Sequence, residues 1–170
     1  AAVDIGADAI KFQTFRAEEL VTDAAEQAAY QKREAGQYRS QKEMLKALEL
    51  GYDSFKNLAD YTRNKGIQFL STPFDSVSLS FLINELNIEK IKIPSGEITN
   101  GPFLYECGRT GRDIILSTGM STLPEVETAL KILTAAYRGV PIQKIANTLE
   151  QTDQGAITET LQQRVTLMHC

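Results

Sequence analysis

Short apolar segments alternate with amphipathic ones along nearly the whole chain, and that alternation leaves few folds open. The strand candidates are Asp8–Thr14, Ile67–Thr72, Glu89–Ser95, Asp113–Thr118 and Arg164–Cys170, each rich in Ile, Val, Leu or Phe. Helices are expected over Gln41–Leu48, Tyr52–Asn64, Ser76–Leu86, Pro102–Arg109 and Leu123–Tyr137. Leu79, Leu82, Ile83 and Leu86 give the third helix a one-sided apolar stripe. Lys65-Gly66 stops the second, and Asp53 and Ser121 or Thr122 fit N-cap positions. Strands separated by helices form parallel sheets, because a parallel pair needs a long crossover.

Such a sheet is either an open doubly wound one or a (β/α)8 TIM barrel. The open dinucleotide-binding sheet calls for a glycine-rich turn after its first strand, and Thr14-Phe15-Arg16 is not one. The barrel calls for polar chemistry where several strands end. Here the ends read Lys11-Phe12-Gln13-Thr14, Ser71-Thr72-Pro73-Phe74-Asp75, Lys92-Ile93-Pro94-Ser95-Gly96-Glu97, Ser117-Thr118-Gly119-Met120 and His169-Cys170. Alternation puts Ala9, Lys11 and Gln13 on the lumen side and Ile10 and Phe12 towards the helices. The reading is an α/β fold, a partial (β/α)8 barrel with about five βα units where eight are usual.

With 170 residues, 42% hydrophobic and 24% charged, the chain has the composition of a globular domain. A net charge of −4 gives no general attraction to nucleic acid or to an anionic membrane. The sequence opens on Ala1 and stops at Cys170 inside a strand pattern, so a fragment of a longer barrel is expected. Two cysteines, Cys107 and Cys170, make no disulfide framework, and no export signal is visible, so a cytoplasmic protein with reduced thiols is expected. His169, the one histidine, cannot build a multi-histidine metal site. Two polar segments interrupt the rhythm. Arg16–Arg39 is a lid or a solvated surface excursion, and Arg138–Gln163 has room for short helices at Ile142–Leu149 and Ala156–Gln162.

Lys11 and Lys92 stand in otherwise apolar strands, where an ammonium is costly unless it has partners. Each alone can snorkel or pair with a carboxylate. Two of them at strand ends, with Thr72, Ser95 and Ser117 beside them, suit a phosphate or a phosphate plus a carboxylate. Gly96 and Gly119 would let backbone N–H groups approach the same anion. Glu97 either transfers a proton, binds a hydroxylated substrate or metal, or is a glutamate favoured at a helix N-terminus. Asp75 reads as a helix cap, and Gln13 as a lumen-facing hydroxyl or amide partner. His169 falls at the active face of the barrel with either a structural or a functional role. Cys107 reads as core, and Cys170 forms no dyad with its neighbour His169.

These strand ends resemble the sialic acid synthase family of phosphoenolpyruvate-condensing enzymes, which includes N-acetylneuraminate, legionaminate and pseudaminate synthases. The matching segments are Gly6–Phe15, Tyr30-Gln31-Lys32, Gln41–Lys46, Phe69–Asp75, Lys92–Glu97, Ile115–Met120 and Leu167–Cys170. The resemblance implies a barrel of which this chain carries the second to sixth strands, within residues 1–170, with a C-terminal antifreeze-like domain elsewhere. It implies condensation of phosphoenolpyruvate with an open-chain N-acylated mannosamine-type sugar, giving a nine-carbon 2-keto sugar acid and phosphate. The phosphoenolpyruvate positions fall on Lys11, Thr72, Lys92, Ser95 and Ser117, and Gln13 and Glu97 lie near the sugar and the reacting centre. Lys92 and Glu97 are the candidate catalytic residues. A divalent metal, manganese or magnesium, is implied with ligands beyond Cys170, and the full-length enzyme is implied to be a homodimer. The length of Arg138–Gln163 resembles the legionaminate-type or polysaccharide-associated branch. Two rivals are a Schiff-base aldolase with Lys92 as nucleophile and a non-catalytic barrel fragment used in binding or assembly.

Overall fold

The structure is a computed structural model and describes residues 1–27, 38 and 40–169. Tyr30-Gln31-Lys32, most of the second half of Arg16–Arg39, and Cys170 lie outside the described residues. Five strands form one sheet: β1 (Ala9–Thr14), β2 (Gln68–Pro73), β3 (Lys90–Ile93), β4 (Asp113–Ser117) and β5 (Val165–Met168). Every pair is parallel and each strand lies beside the next in sequence. That order separates the two candidate folds. An open doubly wound sheet reverses its strand order partway, whereas an unreversed order with right-handed crossovers places every helix on one face, as in a barrel wall.

The helices are α1 (Ala17–Leu20), α2 (Gln41–Leu48), α3 (Tyr52–Asn64), α4 (Ser76–Asn84), α5 (Gly101–Arg109), α6 (Leu123–Tyr137), α7 (Ile145–Gln151) and α8 (Gln154–Leu161). Helix α6 starts on a capping box: Thr122 caps Glu125, and the Glu125 carboxylate returns to the Thr122 N–H. That bond holds the Glu125 carboxyl below its ordinary value. Helix α3 ends at Lys65 with Gly66 at a φ of +68°, a left-handed stop that glycine tolerates best. The cap expected of Asp53 is not made. Gly51 occupies that N-cap position with its backbone alone, and Asp53 lies in the first turn, where its charge complements the helix dipole. Several elements stop short of their expected ends. Strand β3 ends at Ile93 rather than Ser95, because Pro94 has no N–H to extend the ladder, and α4 ends at Asn84 rather than Leu86.

The core fills the space between the sheet's outer face and the helices. Ile91 and Ile93 of β3 and Ile114 and Leu116 of β4 pack with Phe55, Leu79, Leu82, Leu104 and Leu133, all essentially buried. Each such side chain contributes about 1.5–3 kcal/mol relative to exposure. Arg138–Gln163 carries its two short helices close to their expected places, and Ile157 and Leu161 of α8 enter the same core. Among the described residues no helix is long and apolar enough to cross a membrane.

Candidate active site

The strand register decides which side chains share a face. Gln13 pairs with Thr72, and Lys92 pairs with Ile115, which pairs in turn with Thr166. Ser71 pairs with Ile91, so the residues that follow them, Thr72 and Lys92, also lie side by side on one face. Lys11 precedes Gln13 by two residues and Ser117 follows Ile115 by two. Lys11, Gln13, Thr72, Lys92 and Ser117 therefore occupy the face opposite the helices, as the alternation of apolar and polar residues requires. The other face of the same strands carries Ile10, Phe12, Ile91 and Ile93 to the helices.

Lys11 and Gln13 are exposed on that face, while Thr72 and Ser117 are buried. Lys92 retains only 8% exposure. Its ammonium donates to Ser117 Oγ at 2.6 Å and to the Ile93 carbonyl at 2.8 Å. Charge-assisted bonds of this kind offset the desolvation of a buried cation. A cation held so close to a serine hydroxyl is a ready-made partner for an anionic oxygen.

Ser95 and Glu97 lie on the adjoining 3-10 turn, Ser95–Glu97, which leaves β3 through Pro94. The Glu97 carboxylate accepts from Asn100 Nδ2 at 2.7 Å, and Asn100 Oδ1 in turn caps α5 at the Phe103 N–H. Glu97 is thus tied to a helix start, although on the turn before the helix and not within it. A Cβ added at Gly96 would meet nothing within 4 Å, so packing does not account for glycine there. His169 is exposed just past β5. Cys107 is fully buried in α5, and burial pushes its thiol up, so it is core and not a nucleophile.

Asp75 is the cap that its sequence position predicts: Oδ1 accepts from the Ser78 N–H at 2.6 Å. Sequence reasoning missed Glu49. Its carboxylate, 7% exposed, accepts from the Ala17 N–H at 2.8 Å and pairs with Arg16 and Lys46. The only signal was a glutamate in Leu48-Glu49-Leu50 just after a helix, which says nothing of burial. Among the described residues no group of three or more His, Cys, Asp or Glu side chains could hold a metal ion. The residues gathered here, lysines and hydroxyls, are donors to anions and do not fit a divalent cation.

An unreversed parallel sheet with helices on one side and polar chemistry at its strand ends defines the wall of a (β/α)8-type barrel. The NeuB family model matches residues 1–170, and the chain belongs to that family. Over 137 residues it is 47% identical to the N,N'-diacetyllegionaminic acid synthase of Legionella pneumophila, covering 81% of this chain and 38% of the relative. Over 132 residues it is 45% identical to the enzyme of the same name from Campylobacter jejuni, covering 78% and 39%. The chain thus spans about two fifths of the length of these curated relatives. Its fold matches the crystal structure of an N-acetylneuraminic acid synthetase from Leptospira borgpetersenii with a TM-score of 0.66 at 24% identity, over 99% of this chain and 64% of that one.

Proposed function

We propose that the protein carrying this chain condenses phosphoenolpyruvate with an N-acylated mannosamine-type sugar, giving a nine-carbon 2-keto sugar acid and phosphate. The observation that carries the reading is the buried Lys92 ammonium bonded to Ser117 on the same sheet face as Lys11, Gln13 and Thr72. Membership of the NeuB family and the synthase names of the two curated relatives support it over a Schiff-base aldolase. In this reading Lys11, Thr72, Lys92, Ser95 and Ser117 bind phosphoenolpyruvate, and Gln13 and Glu97 face the sugar.

The C3 carbon of phosphoenolpyruvate forms a bond to the sugar's aldehyde carbon, whose carbonyl oxygen takes the displaced electron pair and a proton. Water adds at C2 and gives up a proton, with Glu97 as the proton carrier. The C2–O bond to phosphate then breaks as the new C2 hydroxyl passes its proton to the departing phosphate, leaving the ketone. Lys92 and Ser117 are already arranged as donors, so they stabilise the charge that builds on the departing phosphate without reorganising. A divalent manganese or magnesium ion would polarise the aldehyde when bound. Its ligands are proposed to come from outside the described residues, together with the remaining barrel strands, an antifreeze-like domain and a homodimer partner. A cytoplasmic location fits this chemistry.

The test is product identification. The intact protein is incubated with phosphoenolpyruvate and a panel of N-acylated mannosamine analogues. Mass spectrometry should find a product equal to one sugar plus one pyruvate unit, with one phosphate released per turn. Absence of phosphate release with every sugar, or borohydride trapping of a keto acid on Lys92, would overturn the reading.

A further inference from the structure

Two buried carboxylates outside the anion-binding set meet the chain where it leaves β1. The Arg16 N–H donates to Asp75 Oδ2 at 2.9 Å, and the next amide, Ala17 N–H, donates to Glu49 Oε2 at 2.8 Å. Asp75 retains 8% exposure and the Glu49 side chain 7%. Glu49 also pairs with the Arg16 guanidinium at 3.3 Å, which lies over the Tyr52 ring, and Tyr52 stacks on Phe81 of α4. A helix cap needs only one carboxylate oxygen, and Asp75 Oδ1 supplies it to Ser78. Its second oxygen takes the Ser78 hydroxyl and the Arg16 amide.

These contacts sit where the β1–β2 ladder runs out. Thr14 is paired with Pro73, which has no N–H to give. Past that point the two strands are joined by the Phe74 N–H to the Thr14 carbonyl, and then by Asp75. We propose that Asp75 and Glu49 are positioning residues, a two-carboxylate brace in which Asp75 ties the end of β1 to β2 and Glu49 ties the next residue to the end of α2, so setting Gln13 beside Thr72. The role rests on the condensation reading above. A reacting group displaced by roughly 1 Å loses rate by about a hundredfold, so a brace a few residues from Gln13 has leverage on turnover.

Asp75→Asn separates the brace from the cap. Asparagine caps a helix about as well as aspartate, but its amide would turn an N–H towards the Arg16 N–H. Glu49→Ala removes the second arm, and Glu49→Gln, which keeps an oxygen for Ala17, is the conservative rescue. In the intact protein, Asp75→Asn and Glu49→Ala should each lower kcat/KM about tenfold, with KM for the sugar raised, and Glu49→Gln should recover most of the loss. The Asp75→Asn effect should vanish in a Gln13→Ala background and persist in a Ser95→Ala background, because Gln13 rides on β1 and Ser95 does not. Asp153→Ala, which removes the cap of α8 far from β1, should lower Tm and leave both kinetic constants unchanged. Additive losses in the Gln13→Ala background, or losses that track Tm as in Asp153→Ala, would overturn the brace alone. A wild-type protein without turnover would overturn the condensation reading and the positioning role with it.

Discussion

The two strand lysines meet different environments. Lys11 is exposed on the inner face, and Lys92 is buried with its ammonium on Ser117 and the Ile93 carbonyl. The difference predicts which one carries more of the proposed anion affinity, since a desolvated cation attracts a phosphate more strongly than a hydrated one. Lys92→Ala is expected to raise KM for phosphoenolpyruvate by roughly tenfold or more, about 1.4 kcal/mol of binding, with a smaller change in kcat. Steady-state kinetics at varied phosphoenolpyruvate reads this directly, and an unchanged KM would count against the anion site. The shared face of Lys11, Gln13, Thr72, Lys92 and Ser117 is legible in the sequence, because the period-two alternation of a strand fixes it locally. Glu49 is illegible there because its meaning lies in a tertiary contact to Ala17, 32 residues away, which no local pattern records. Asp75 is legible as a cap and not as a partner of Arg16, for the same reason.

Helix boundaries are most legible where local chemistry sets them. Helices α3 and α6 begin and end where the residue pattern places them, one stopped by Gly66 and the other started by the Thr122–Glu125 box. What the pattern does not carry is how closely helices approach. Gly108 of α5 sits against α6 so tightly that an added Cβ would come within 2.7 Å of Ala136 Cβ. Neither atom has a torsion to escape by, so Gly108→Ala must part the two helices and is expected to cost about 1–3 kcal/mol. Urea unfolding should show a lower midpoint at unchanged slope. A wild-type midpoint would mean that the helices separate freely.

Seen whole, the protein has a net charge of −4, and the proposed anion-binding face depends on a few placed cations rather than on a basic surface. Its stability should also respond to alkali. Burial raises the Cys107 thiol above its ordinary 9.0 and the Tyr137 phenol above its ordinary 10.0. Both groups keep their protons in the folded state at pH values where the unfolded chain loses them. The unfolded state then binds fewer protons, and stability falls as pH rises past those ordinary values while staying level below them. Thermal melts from pH 7 to about 10.5 should trace that fall, with Cys107→Ala removing the earlier part. A Tm that stays flat or rises above about pH 9 would be inconsistent with both buried groups.

The unreversed strand order has a consequence for how the molecule assembles. The Lys92–Ser117 bond closes a loop of 25 residues, whereas Thr14–Ser71 closes 57 and Thr118–Met168 closes 50. Each doubling of a flexible loop adds only about 0.6 kcal/mol of closure entropy, a mild but consistent bias. That bias favours early pairing of β2, β3 and β4, whose registers join residues close in sequence, followed by the long-range arrivals of β1 and β5. Lys92 and Ser117 would come together in the first half of folding, and Lys11 and Gln13 would be delivered to them last.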